Sequence, residues 1–269
     1  MILFAFGCAM YDLHCHILPG VDDGPPDWNA ALEMARALVA EGVTHVAATP
    51  HGLGSAHSHR YDPTHLCGLV VQLREHLQRA KISLQVVLGT EIVFDVGLVH
   101  QLQHGQLLPY GSSRAVLLES PSQIVATHLE RTIFELQLAG YRVVLAHPER
   151  TRAFQDNPNL LVPLVERGVL IQVTAGSLVG LHGERLRQIA TQLVCHNLAH
   201  LLASDAHTAT GHRAPALQAA VAYATILVGQ NAVHQMTHIL PKSLLSDGPL
   251  PLLTPRTIET PKQRWWARK

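Results

Sequence analysis

Seven short apolar runs punctuate the chain, and each ends abruptly in a polar residue. They are "MYDLHCH", "VTHVAATPH", "LQVVLGTE", "RAVLLES", "YRVVLAHPER", "VLIQVTAG" and "HLLASDAH". Such runs, rich in Val, Leu and Ala, predict strands buried on both faces. Between them the period changes to that of a helix. In 26–41, Trp28, Ala31, Leu32, Ala35, Leu38 and Val39 fall on one helical face, with Pro25 and Pro26 at its start and Gly42 at its stop. Similar segments cover 62–80, 122–139, 158–167, 183–196 and 213–230. Strand–helix alternation repeated this often predicts a parallel sheet. Seven such strands favour a closed or nearly closed α/β barrel, with a doubly wound open sheet as the alternative. From 241 the texture changes to a Pro-rich segment without sustained period, read as a flexible tail over 241–269 behind a barrel over 11–240.

The polar residues that end the runs carry the chemistry. His14 and His16 end the first run, and His51 the second. Glu91, Glu119 and His147 end the next three, and Asp205 and His207 the last. Asp23 stands in the loop after strand one. In a parallel barrel all strand C-termini open on one face, so residues nearly two hundred positions apart converge in one pocket. H-x-H in extended chain sends both imidazoles to the same side. Taken singly each residue reads as a strand-end polar group; taken together they read as a metal site. Five imidazoles and four carboxylates without a thiolate suit Mn, Fe or Zn. Nine ligands exceed one ion, so two to three divalent metals are expected. Clustered ions of this kind favour hydrolysis of a phosphate ester by metal-bound hydroxide. Arg150, after "AHPE", and Arg213, after the "SDAH" loop, offer planar forks for phosphate oxygens. The alternative is that each makes a surface ion pair, Arg150 with Glu149.

Composition narrows the partners. The chain has 269 residues, 47% of them hydrophobic, enough for a sizeable core, and its formal net charge is zero. Nothing there predicts nucleic acid or an acidic membrane surface. Histidine is the outlier at 19, against 5 Phe and 5 Tyr. Several, such as His76, His100, His104 and His128, read as surface residues on helices. The four cysteines, Cys8, Cys15, Cys67 and Cys195, show no C-x-x-C spacing and fit a reducing cytoplasm. None has Arg six residues on, as a C-x5-R phosphate loop needs; His14, Val21, Leu73 and Leu201 stand there. The opening "MILFAFGCAM" is too short to span a membrane and lacks a basic start. Met10 directly precedes "YDLHCH", so translation is expected to begin there or at Met1. The terminal "RWWARK" reads as a loose basic end, with no membrane insertion.

"DLHCHILPGVDDGP", "TPH", "GTEI", "AHPER" and "SDAH", in this order, resemble the PHP (polymerase and histidinol phosphatase) superfamily. More narrowly they resemble its capsule-associated tyrosine phosphatases, the CpsB/CapC group. The resemblance runs from about residue 11 to 231. It implies a distorted (β/α)7 TIM-like barrel of the PHP type and a trinuclear, manganese-dependent site that hydrolyses phosphotyrosine. The substrate it implies is the phosphotyrosine-containing tail of a kinase of capsule or exopolysaccharide biosynthesis. Carried over by position, the ligands are His14, His16, Asp23, His51, Glu91, Glu119, His147, Asp205 and His207. Glu91 would bridge two metals, and Arg150 and Arg213 would hold the phosphate. Two other readings stay open: a small-molecule phosphatase such as one for histidinol phosphate, and a non-catalytic metal-binding module. A homo-oligomer is also open.

Overall fold

In a computed structural model, which describes residues 9–121, 126–251 and 254–259, the seven runs become eight parallel strands. They are β1 (Met10–Cys15), β2 (Val43–Ala48), β3 (Gln85–Leu88), β4 (Glu91–Val93), β5 (Ala115–Glu119), β6 (Arg142–Ala146), β7 (Leu170–Thr174) and β8 (Leu201–Ala203). Hydrogen bonding groups them into two parallel sheets, β1-β2-β3 and β4-β5-β6-β7-β8. Isolated bridges join the two sheets on both sides, His51 to Glu91 and Cys15 to Ala206. The ring of parallel contacts is therefore complete, but it is continuous ladder only in part, and the barrel is distorted.

The distortion has local causes. The third run breaks at Gly89 and Thr90. A side chain at Gly89 would meet the Tyr110 ring at 2.9 Å, so the backbone passes close over this buried tyrosine where only glycine fits. β3 stays with β2, and β4 moves to pair with β5. A second irregularity lies in β1. Asp12 pairs with Val46 and Cys15 with Ala48, so one extra residue is spent on β1. A bulge of this kind switches which face a side chain meets. Tyr11 and Leu13 join the interior apolar cluster, and beyond the switch His14 and His16 turn into the pocket.

The helices form where the period predicted. Trp28–Ala40 is capped by the Asp27 carboxylate, which accepts from Ala30 N at 2.9 Å. Pro63–Arg79 is capped by Asp62, which accepts from His65 N at 2.7 Å. Ala126–Leu138, Glu184–Cys195 and Leu217–Val228 fill three further predicted segments. The segment 158–167 divides into a short 3-10 turn at Pro158–Leu161 and a helix at Val162–Glu166 that carries Pro163 in its first turn. Apolar side chains of strands and helices fill the shell between them. The barrel interior holds Tyr11, Leu13, Ala47, Tyr110, Leu117 and Val144, and Leu240 and Leu244 join it. Those last two lie on a helix, Leu240–Leu245, so part of the segment expected as tail is folded. Ile258 is also buried, and its N donates to Asn159 Oδ1 at 2.7 Å. The leader 1–8, with Cys8 and the choice between Met1 and Met10, and the terminal "RWWARK" lie outside the described residues.

Candidate metal centre

The nine side chains singled out at the strand ends and in the first loop meet in one place. Among the described residues they form four overlapping groups: His16, Asp23, His51 and His207; His14, His16 and Asp205; His14, Glu91 and His147; and His51, Glu91 and Glu119. Within each group the ligand-capable atoms lie within 4.8 Å of one another. Glu91 is central. Its Oε1 is 2.8 Å from His147 Nε2 and 3.3 Å from His14 Nε2. Its Oε2 is 2.9 Å from His51 Nδ1 and 3.3 Å from His16 Nε2. Asp205 Oδ1 stands 3.3 Å from His14 Nε2, and Asp23 Oδ1 stands 3.3 Å from His207 Nε2.

The backbone makes this convergence possible at a cost. His147 and Asp205 have φ of 30° and 51°, in the left-handed region that non-glycine residues avoid. Strain of this kind persists where surrounding contacts hold it. Around Asp205 those contacts are explicit. Ser204 donates through its N and Oγ to the buried Asp12 carboxylate, Asp205 N donates to His14 O, and Ala206 O accepts from His16 N. These bonds seam the end of β8 to β1.

Three imidazoles are held with Nε2 aimed into the cluster. His16 Nδ1 donates to Asp22 Oδ2 at 2.7 Å, His14 Nδ1 to Gln172 Oε1 at 3.0 Å, and His207 Nδ1 to Asp205 O at 2.9 Å. With Nδ1 so engaged, Nε2 is the ring atom each turns toward the pocket, the arrangement that metal-ligating histidines use. Asp22, Gln172, Asp12 and Ser204 have no place in the strand-end pattern. Asp22 hid beside Asp23 in "DDG", and the signal for Gln172 was a polar residue inside the buried run "VLIQVTAG".

The donor set fits divalent ions. Four buried side-chain atoms of the cluster, Asp23 Oδ1, His51 Nδ1, Glu91 Oε2 and His207 Nε2, make no hydrogen bond. Unpartnered buried polar atoms are costly, and facing donor atoms of this type are what a cation satisfies. Burial also works to raise Glu91, but the histidines packed around it, His14 first and then His147 and His16, hold it well below the carboxylate range. Burial and the neighbouring Glu91 charge push Glu119 up. Burial opposes ionised Asp205, and Arg150 and His14 outweigh it. A pocket with four carboxylates, two of them repelling, stands ready for positive charge.

Both arginines reach the same cluster. Arg150 Nη1 is 2.6 Å from Asp205 Oδ2, and Arg213 Nη1 is 2.9 Å from Asp23 Oδ2. Glu149, the surface partner weighed for Arg150, is instead fully buried, with Oε1 accepting from Thr174 N at 3.0 Å. The arginine side chains are 34% and 35% exposed, so they line the edge where the buried cluster meets solvent. Of the cysteines, Cys15, Cys67 and Cys195 are free, and none belongs to the four groups.

Comparison with known proteins agrees in fold and in kind. The family description "Capsular polysaccharide synthesis, CpsB/CapC" matches residues 10–246. The tyrosine-protein phosphatase YwqE of Bacillus subtilis (strain 168) is 40% identical over 198 residues, covering 74% of this chain and 77% of that one. The tyrosine-protein phosphatase CpsB of Streptococcus pneumoniae is 26% identical over 210 residues, covering 74% and 83%. A chain from the crystal structures of YwqE and CpsB, described as unique metal-dependent tyrosine phosphatases, superposes with TM-score 0.88 at 34% identity, covering 93% of this chain and 100% of that one. A histidinol phosphate phosphatase of Lactococcus lactis shares the fold at TM-score 0.50 and 12% identity, covering 79% and 93%.

Proposed function

The chain belongs to the CpsB/CapC family of capsular polysaccharide synthesis, and from that premise we propose that it is a metal-dependent protein-tyrosine phosphatase. The observation that carries this reading is the buried cluster of nine ligand-capable side chains edged by two half-open arginines. His14, His16, Asp23, His51, Glu91, Glu119, His147, Asp205 and His207 would hold the ions. Nine donors in four overlapping groups are too many for one ion; the Glu91 carboxylate could serve two neighbouring ions and each imidazole would serve one, which supports two to three per chain. Imidazole and carboxylate donors suit manganese, our choice, with iron or zinc as the rivals. Such ions supply Lewis acidity toward phosphoryl oxygens and lower the pKa of water.

The chain's own groups do the rest. Asp22, Gln172 and the Asp205 carbonyl engage Nδ1 of three imidazoles and so would present each Nε2 as the ligand atom. Arg150 and Arg213 bind the phosphoryl oxygens at the solvent edge and hold them as charge redistributes toward the leaving oxygen. The substrate we assign is phosphotyrosine in the tail of a tyrosine kinase of capsule or exopolysaccharide biosynthesis, met in the cytoplasm. The family description and the relatives' names support the class. No helix among the described residues is long and apolar enough to cross a membrane.

The test is elemental analysis of the purified protein beside rates on phosphotyrosyl peptides and on histidinol phosphate. Two to three divalent ions per chain, a preference for the peptide, and loss of rate on chelation are expected. Full activity in metal-free protein sinks the metal reading. A preference for histidinol phosphate sinks the substrate reading.

A further inference from the structure

His182 was not singled out in the sequence and is not among the nine cluster residues. It lies just after the short helix Ala175–Leu178 that follows β7. Its Nε2 is 3.1 Å from the carbonyl oxygen of His212, which can only accept, so Nε2 carries the proton. Nδ1 is then the acceptor. Ser177 Oγ stands 3.1 Å from it, and Arg150 Nη2–H points to it from 3.5 Å. The imidazole thus touches two loops at once: the turn that carries Arg150, and the loop in which His212 precedes Arg213. The ring is also seated. A Cβ on Gly176 would meet His182 Cε1 at 2.8 Å and Nε2 at 2.9 Å. Gly176 has no positive φ, so the ring, not the backbone, is what excludes a side chain there.

We propose that His182 is a positioning residue: a strut that joins the two phosphate-binding arginines and sets their separation. It holds the free edge of the Arg150 guanidinium while Asp205 holds the other edge, and it pins the backbone beside Arg213. The strut requires a neutral ring, because an imidazolium has no lone pair for Arg150. Burial and the adjacent Arg150 charge both keep His182 below its ordinary value, while His212 O, Asp205 and Glu149 pull the other way. Positioning matters here because a bound phosphate must meet both guanidinium groups together, and misplacement of one loses the pair.

This inference rests on the proposed phosphatase function, and hydrolysis of a phosphotyrosyl peptide by the unaltered chain tests that function by itself. His182→Phe keeps a ring against Gly176 and removes all three polar contacts of the imidazole, to His212 O, Ser177 Oγ and Arg150 Nη2. It is expected to retain its metals, to lose about tenfold or more in kcat/KM on the peptide, and to raise the inhibition constant of inorganic phosphate by a similar factor. His182→Gln, which again offers one donor and one acceptor, should recover part of both. Gly176→Ala should reproduce the loss in the natural chain, because it unseats the ring, and should cost nothing further in a His182→Ala background. His182→Phe within threefold of the unaltered chain on both readouts overturns the proposal. So does a Gly176→Ala cost that is the same in both backgrounds. Loss of metal in His182→Phe also overturns it, because the residue would then be supporting ligands and not arginines.

Discussion

Asp22 is the side chain through which the metal reading can be pressed hardest without touching any of the nine cluster residues. Its carboxylate accepts three N–H groups: His16 Nδ1 at 2.7 Å and His51 N at 3.1 Å on Oδ2, and Gly24 N at 3.0 Å on Oδ1. All three are donors, so the site demands two acceptor oxygens. Asp22→Asn keeps the shape and supplies one. With the amide oxygen toward His16 and His51, the amide nitrogen confronts Gly24 N–H, and the loop that carries Asp23 must shift. With the amide flipped, its nitrogen faces His16 Nδ1, which must then accept. The proton moves to Nε2 and blocks the lone pair aimed at Glu91 and Asp205. Either way a buried N–H loses its partner, at about 1–3 kcal/mol. Loss of groups that orient metal-bound histidines typically costs about 10- to 100-fold in metal affinity, or about 1.4–2.7 kcal/mol. The two figures agree in scale.

The assay is a chelator competition with manganese on demetallated protein, beside circular dichroism and kcat/KM on a phosphotyrosyl peptide. Asp22→Asn is expected to fold and to bind metal on the order of 10- to 100-fold more weakly. Its rate should return as the metal concentration is raised. Affinity within twofold of the unaltered chain refutes the reasoning, because His16 would then not depend on Asp22 for its tautomer.

Other expectations follow from the same geometry. Arg150→Ala should keep most of its metal but lose on the order of 100- to 1000-fold in kcat/KM, with Arg150→Lys recovering part, because an ammonium cannot present the fork; a rate within threefold of the unaltered chain makes Arg150 a plain ion pair with Asp205. Gly24→Ala would drive a methyl into the His16 carbonyl and against Asp22 Oδ1, and should cost about 1–3 kcal/mol of stability in thermal melts together with metal occupancy. His200 is buried, accepts from Ile171 N at 2.9 Å, and is pushed down to about 4 by burial. Its folded value lies below the unfolded one, so the stability it contributes is whole above about pH 6.5 and drains as pH falls toward about 4. Urea melts should show His200→Asn losing about 2 kcal/mol less than the unaltered chain between about pH 7.5 and pH 5; equal slopes would show that His200 does not titrate as burial demands.

The strand ends were legible because a parallel barrel maps sequence position onto one face. A polar residue that stops an apolar run has few other places to go, so His51, His147 and Asp205 could be placed together without coordinates. What stayed hidden depends on contacts between distant segments. The break at Gly89 is imposed by Tyr110, twenty-one residues on, and no local period announces it. Asp22 and Gln172 act by accepting from histidines, and their own positions look like a turn and a strand interior. The Pro-rich texture from 241, without sustained period, suggested a tail. Leu240–Leu245 instead continues the helical backbone of Gln235–Ile239, because Leu240 and Leu244 bury against the barrel's apolar interior.

The placement of these residues also divides their tasks. His14, His16 and Asp205 are tied to neighbouring strands through backbone bonds at the β1–β8 seam, and His51 and Glu91 through the bridge between the sheets. Displacing any of them means disturbing the barrel. Arg150, His182 and Arg213 sit outside the strands; backbone bonds tie Arg150 N to His147 O at 2.9 Å and His207 N to Arg213 O at 3.1 Å, but the two guanidinium groups themselves are held only by side-chain contacts, to Asp205, Asp23 and His182. Metal affinity should therefore follow substitutions that unsettle the seam, such as Asp12→Asn or Ser204→Ala, while phosphate affinity follows substitutions in the loops. One barrel can then keep the positions at its strand ends fixed while its loops vary, which is how a single fold comes to frame different chemistries.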